Sequence, residues 1–127
     1  MAPQHELCSD AVRTRATLAL VLPAFSPPPD SIEFCADLYL ASPEAMLTRL
    51  RQVRAARTVL MVAHNPGTHA LALQLAGGGA PKTLAALAVK YPTAGLAVLT
   101  FAGAKDWAAV DTGQGLLVHF VTPRTLA

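Results

Sequence analysis

His64 and Arg13 are the two side chains whose type and position could together handle an anion. His64 ends an apolar run, Val59 to Ala63, and the turn Asn65-Pro66-Gly67 follows it; Thr68 to Leu73 then reads as the start of a helix. Arg13 follows a short strand-like segment, Glu6 to Cys8, and falls in the first turn of a helix capped by Ser9 or Asp10. Each group thus stands where a strand gives way to a helix. There, unpaired backbone N–H groups and the helix dipole favour a negative charge. A guanidinium offers a planar fork to two phosphate oxygens, and an imidazole can serve as donor, acid or nucleophile near neutral pH. Spacing alone leaves a second reading open, because an isolated Arg or His at a helix start is more often structural.

The other polar candidates have plainer readings. His5 precedes the Glu6 to Cys8 strand, at the end away from the site, and reads as a surface histidine. His69 lies one turn into the helix after Asn-Pro-Gly and reads as a capping or surface group. His119 alternates within a late strand as a satisfied sheet residue. Ser9 has no accompanying base or oxyanion loop, so helix capping explains it better than nucleophilic catalysis. Glu44 is explained by the helix dipole and Glu33 by solvent, so neither is assigned as a general acid. Asn65 either faces a phosphate or caps the helix. Gly77-Gly78-Gly79 follows a helix instead of joining a strand to one, so it is read as a helix end and not as a phosphate loop.

The elements that must hold these groups alternate between strand and helix. The unbroken run Val59 to Ala63 suits a strand buried on both faces, whose carboxyl end is the usual place for a site in an open α/β sheet. The helix after Cys8 runs to about Leu22, where Pro23 stops it, and Pro23 to Asp30 holds four prolines and reads as a loop. Ile32 to Leu40 is ambiguous, with a short strand placed around Leu38-Tyr39-Leu40. Ser42 caps a helix with Pro43 at its first position and Glu44 in its first turn, burying Met46, Leu47, Leu50 and Val53. A helix from about Pro66 to Ala76 follows. Thr83 to Val89 is a short helix or apolar loop. Ala94 to Phe101 and Leu116 to Val121 read as strands, linked by Gly103 to Gly115 with Trp107 covering one side. The order predicts an α/β fold, a mainly parallel sheet flanked by helices in three layers, with an antiparallel edge strand late in the chain.

Composition bounds the rest. With 127 residues, 53% hydrophobic and 14% charged, the chain is one globular domain with one core. A net charge of +2 argues against a nucleic-acid partner. Arg49, Arg51, Arg54 and Arg57 read as a solvated helix face. Cys8 and Cys35 have no metal or redox spacing and read as buried thiols. The apolar run near Leu18 to Leu22 is too short for a bilayer, and the first ten residues lack a signal-peptide core. A cytoplasmic protein with no membrane partner, metal or cofactor is expected.

The motifs themselves go further. Ser9, Arg13 and Thr17, spaced by four after a strand, resemble the second motif of the histidine phosphatase (phosphoglycerate-mutase-like) superfamily. Val62-Ala63-His64-Asn65-Pro66-Gly67 resembles its later Gly-His-Asn-Pro motif, with Ala63 in place of the usual Gly. Leu38-Tyr39-Leu40-Ala41 before a Leu-rich helix is similar to the SixA-like phosphohistidine phosphatase branch. So are Tyr91-Pro92-Thr93-Ala94 before a strand, Trp107, and Thr122-Pro123-Arg124. The resemblance implies a pocket of two histidines and two arginines in which one histidine becomes phosphorylated and water then releases phosphate. It implies Arg13 as the second arginine and His64 as the second histidine, with Asn65 beside the phosphate. The implied substrate is a phosphohistidine protein or a small phosphorylated molecule.

One departure follows from the same comparison. The family's first motif, Arg-His-Gly on a strand, carries the nucleophile, and these 127 residues contain no Arg-His-Gly. The expectation is therefore a single domain over residues 1–127 that is N-terminally incomplete, inactive by itself, or a non-catalytic phosphate-binding remnant. A sheet lacking that strand is expected to aggregate, to dimerise through the open edge, or to pair its remaining strands directly.

Overall fold

The computed structural model describes residues 3–9, 11, 31–54, 56–92 and 95–122. The first-helix expectation, Arg13 and Thr17 with it, and the Pro23 to Asp30 loop lie outside the described residues.

Two three-stranded sheets and three helices make up the described fold. The first sheet has β1 (His5–Ser9) at its centre, with β2 (Ser31–Cys35) and β3 (Val59–Val62) parallel to it on either side. The second sheet is ordered β4 (Ala76–Gly79), β6 (Gly115–Val121), β5 (Leu96–Thr100). In it β4 runs parallel to β6, and β5 is the expected antiparallel edge strand. The mixed α/β class is as expected, but the sheet is divided in two. Among the described residues β3 and β5 do not pair with each other.

Helix α1 (Pro43–Arg51) forms as its sequence predicts. Ser42 Oγ accepts from Ala45 N at 3.1 Å, Pro43 opens the first turn, and Arg49 and Arg51 sit in the last turn against the dipole. Its inner face, Met46, Leu47 and Leu50, joins Leu7, Leu38, Leu71 and Leu75 in one core cluster. A fully buried leucine such as Leu7 contributes roughly 1.5–3 kcal/mol. The basic face is less solvated than expected. Arg49 pairs with Glu33, and Arg51 donates to Val110 O at 2.8 Å and to Asp111 Oδ1 at 3.1 Å, which ties α1 to the segment before β6.

Several local expectations change. The strand placed around Leu38 to Leu40 lies earlier, at β2, and Ala36–Leu38 is a 3-10 turn that drops Leu38 into the core. The strand expected to be buried on both faces, β3, is half-buried throughout, and among the described residues its sheet neighbour is β1. The triple glycine does not simply end helix α2 (Gly67–Leu75); it continues as β4. A Cβ on Gly77 would stand 1.8 Å from Gly113 O, and one on Gly79 would stand 2.7 Å from Leu117 O. Glycine therefore lets this backbone press against β6 and the turn before it. Thr83 to Val89 is helical, within α3 (Pro81–Val89).

Trp107 lies in a 3-10 turn, Trp107–Ala109, and donates Nε1–H to Ala56 O at 2.6 Å. With Phe101 edge-on at 6.1 Å and Val110 fully buried, it joins the two halves beneath the strands. Cys8 and Cys35 are buried and form no disulfide. Among the described residues no helix is long and apolar enough to cross a membrane.

Candidate functional site

β1 and β3 are adjacent and parallel, with Cys8 opposite Val62. The residues just beyond their carboxyl ends must therefore come together. Ser9 Oγ lies 3.0 Å from His64 Nε2 in a buried hydrogen bond, and His64 is only 6% exposed. Ser9 is therefore more than a helix cap: its hydroxyl holds the imidazole. Ser9 Oγ also stands 3.5 Å from the Ala11 N–H, at the long limit for a bond.

Tyr39 supplies a third wall. Its ring meets His64 edge-on, with centroids 5.3 Å apart and planes at 81°. Tyr39 is exposed, so it stands at the mouth of the site. Leu40, next in sequence, has φ 49°, a left-handed conformation that a leucine rarely adopts. The following Ala41 O would lie 2.3 Å from a Cβ on Gly67. The corner carrying Tyr39 is thus pressed against the first turn of α2, and Gly67 is the residue that permits it. Tyr39 was legible in the sequence only as part of the Leu-Tyr-Leu-Ala resemblance.

The turn after His64 spends its polar groups on structure. The Asn65–Pro66 peptide is cis. Thr68 N and Thr68 Oγ1 each donate to His64 O at 2.9 Å, and His69 N donates to Asn65 Oδ1 at 3.2 Å. Asn65 Nδ2 donates to Tyr91 O at 2.7 Å. Asn65 therefore caps α2 and straps it to the segment before β5. The helix N-terminus has fewer unpaired donors than its sequence suggests, since two first-turn N–H groups are occupied. What it still offers an anion is its dipole.

The remaining histidines lie elsewhere. His5, at the opposite end of β1, bonds Ser31 Oγ, and its Nε2 is 2.9 Å from Glu33 Oε1. His69 Nε2 is 2.6 Å from Leu87 O, so it ties α2 to α3. His119 is exposed on β6, not enclosed by the sheet. Arg13 lies outside the described residues, so the structure does not place it. Among the described residues no three His, Cys, Asp or Glu side chains form a metal cluster.

Sequence reasoning also missed Glu6. It is fully buried on β1, neither carboxylate oxygen has a hydrogen-bond partner among the described residues, and burial pushes its pKa from 4.5 up to about 7. The only sequence signal was a charged residue inside a strand-like run.

No family model matches the sequence. Solved structures do match. A proposed phosphohistidine phosphatase, SixA, from Nakamurella multipartitia superposes with a TM-score of 0.76 at 25% identity, over 97% of this chain and 72% of that one. Another of the same description, from Agrobacterium tumefaciens, gives 0.70 at 29% identity, over 95% of this chain and 68% of that one. The chain belongs to the SixA-like histidine phosphatase family. Sequence relatives extend it. The uncharacterized protein Rv1276c of Mycobacterium tuberculosis is 38% identical over 124 residues, 93% of this chain and 72% of that protein. The uncharacterized protein ML1117 of Mycobacterium leprae is 33% identical over 125 residues, 97% of this chain and 73% of that protein. Within this SixA-like fold, Ser9, Tyr39 and His64 converge at the carboxyl end of the parallel sheet, where open α/β sheets bind ligands.

Proposed function

We propose that this chain carries the phosphate-holding part of a phosphatase of the histidine phosphatase type, acting on a phosphohistidine or a small phosphomonoester. The observation that supports it best is the buried His64–Ser9 pair at the ends of adjacent parallel strands. His64 donates a hydrogen bond to a phosphoryl oxygen, with Ser9 and Tyr39 fixing its ring. Arg13 holds two further oxygens, and Asn65 positions the turn that carries His64. Catalysis of this type rests on positioning and on charge stabilisation. A nucleophilic imidazole forms a P–N bond as the bond to the leaving group breaks, and water then breaks the P–N bond and releases phosphate. The nucleophile belongs to an Arg-His-Gly motif, which these 127 residues do not contain. A second reading is a phosphate- or phosphoprotein-binding module with no catalytic role, in which the same His64–Ser9 pair holds the anion.

Titration of the 127-residue chain with inorganic phosphate, followed by phosphorus NMR, tests the shared part. Binding is expected, and His64→Ala or Arg13→Ala should each weaken it at least about tenfold, the loss of one charge-assisted contact. Wild-type chain that leaves the phosphate signal unchanged would overturn both readings. Hydrolysis of a phosphomonoester by a polypeptide that also carries Arg-His-Gly separates them, since only the enzyme reading predicts turnover.

A further inference from the structure

The corner between β2 and α1 presents two large apolar side chains to solvent at the mouth of the candidate site. Tyr39 is 56% exposed and Leu40 is 62% exposed, while Leu38 just before them is buried in the core. The backbone holds this arrangement firmly. Tyr39 N donates to Ala36 O at 3.1 Å, Leu40 takes φ 49°, and Ala41 O packs against Gly67 at the start of α2. A left-handed leucine costs free energy, and such conformations gather at ligand sites. Core packing does not account for the cost, since Leu38 alone of the three side chains is buried. We propose that Tyr39 is a specificity-determining residue, whose ring favours ligands that carry their phosphoryl group on a planar aromatic ring over those that carry it on an open alkyl chain.

This inference rests on the phosphate reading of His64 and narrows the ligands that it admits. His64 is buried, with Nε2 3.0 Å from Ser9 Oγ. Tyr39 stands upright against it, the planes at 81° and the centroids 5.3 Å apart. A phosphoryl group held at His64 therefore directs its substituent outward, past Tyr39.

A flat substituent there can meet the open part of the phenol ring, offset-stacked or edge-to-face. Such a contact strengthens binding roughly two- to tenfold beyond the area it covers. An alkyl chain has no matching quadrupole and gains only the area. The fixed corner adds to the preference, because a ring already ordered loses little freedom when a ligand arrives. The imidazole of a phosphohistidine and the phenol of a phosphotyrosine share this chemistry.

The test titrates the 127-residue chain with three phosphonates, followed by phosphorus NMR at a pH where all three are dianions. Phenylphosphonate carries a six-membered ring, triazolylphosphonate a five-membered ring, and ethylphosphonate an open chain. Tyr39 also holds the His64 ring, so the ratio of affinities is read and not the affinity for phosphate itself. Both ring-bearing phosphonates are expected to bind roughly two- to tenfold tighter than ethylphosphonate. Tyr39→Phe should keep that ratio. Tyr39→Ala should bring it near one, and so should Tyr39→Leu, which keeps apolar bulk without a ring. Tighter binding of the triazole than of the phenyl compound supports the proposal with a histidine side chain as the source, and the reverse order supports it with a tyrosine. Equal affinity for all three, or a ratio that survives in Tyr39→Ala or Tyr39→Leu, overturns the inference and leaves the phosphate reading standing. Failure of the wild-type chain to bind any of them overturns both.

Discussion

A hydroxyl at one strand end and an imidazole at the next share a buried bond of 3.0 Å, and an exposed phenol ring closes on the imidazole edge. Few residues of the chain are committed so fully to one place. Glu6, on the same strand as Ser9, is the opposite case, since its buried carboxylate has no hydrogen-bond partner among the described residues. Its folded-state pKa of about 7 lies above the ordinary 4.5, so the folded chain holds a proton that the unfolded chain releases. Stability is therefore fully present below about pH 4.5, falls as pH rises towards 7, and is level above that. The loss is on the order of 3 kcal/mol at most. Glu6→Gln should flatten that slope and raise the urea midpoint at pH 8 relative to wild type. A parallel fall in both proteins would show that Glu6 is not the group responsible.

Among the elements, α2 has the most demands on it. Its first turn receives His64 O and Asn65 Oδ1, while Gly67 accommodates Ala41. A methyl group at Gly67 would meet Ala41 O at 2.3 Å and Met46 Sδ at 3.1 Å. Gly67→Ala is expected to cost roughly 1–3 kcal/mol and to shift the Tyr39 corner away from His64. A urea melt reads the first effect, and the ring-current shift of the His64 imidazole signals reads the second. An unchanged imidazole spectrum would separate the corner from the site. Within α1 the capping residues predicted the helix correctly, because a cap acts on its own turn. The glycine run ends the helix as expected, but its role as β4 was not legible for the converse reason. Its role depends on Gly113 and Leu117, distant in sequence, pressing against it.

Over the whole molecule, two small sheets share a core through α1, Trp107 and Val110, while their facing edges stay apart. Such a structure should not be equally stable throughout. Amides of the central strands β1 and β6 are expected to exchange slowest with solvent in the unliganded chain. Those of β3 and β5 directed away from β1 and β6 should exchange faster by an order of magnitude or more. Uniform protection across all four strands would mean that β3 and β5 are not open edges in solution. The SixA-like fold thus places the candidate site at one end of the parallel strands, just past β3, the strand that leads into His64.

What the sequence determined by itself was local or motif-bound. The strand before His64, the Ser42 cap, the antiparallel late pair and the family resemblance all rest on neighbouring residues or fixed spacing. The described pair at the site needed the fold, because Ser9 and His64 are 55 residues apart and meet only through the parallel register of β1 and β3. Tyr39 reached the site through the corner at Leu40 and Ala41, which no periodicity announces. The division of the sheet was likewise a tertiary outcome. Each strand carries its own pattern, but which strands pair, and in which register, is decided by the whole fold.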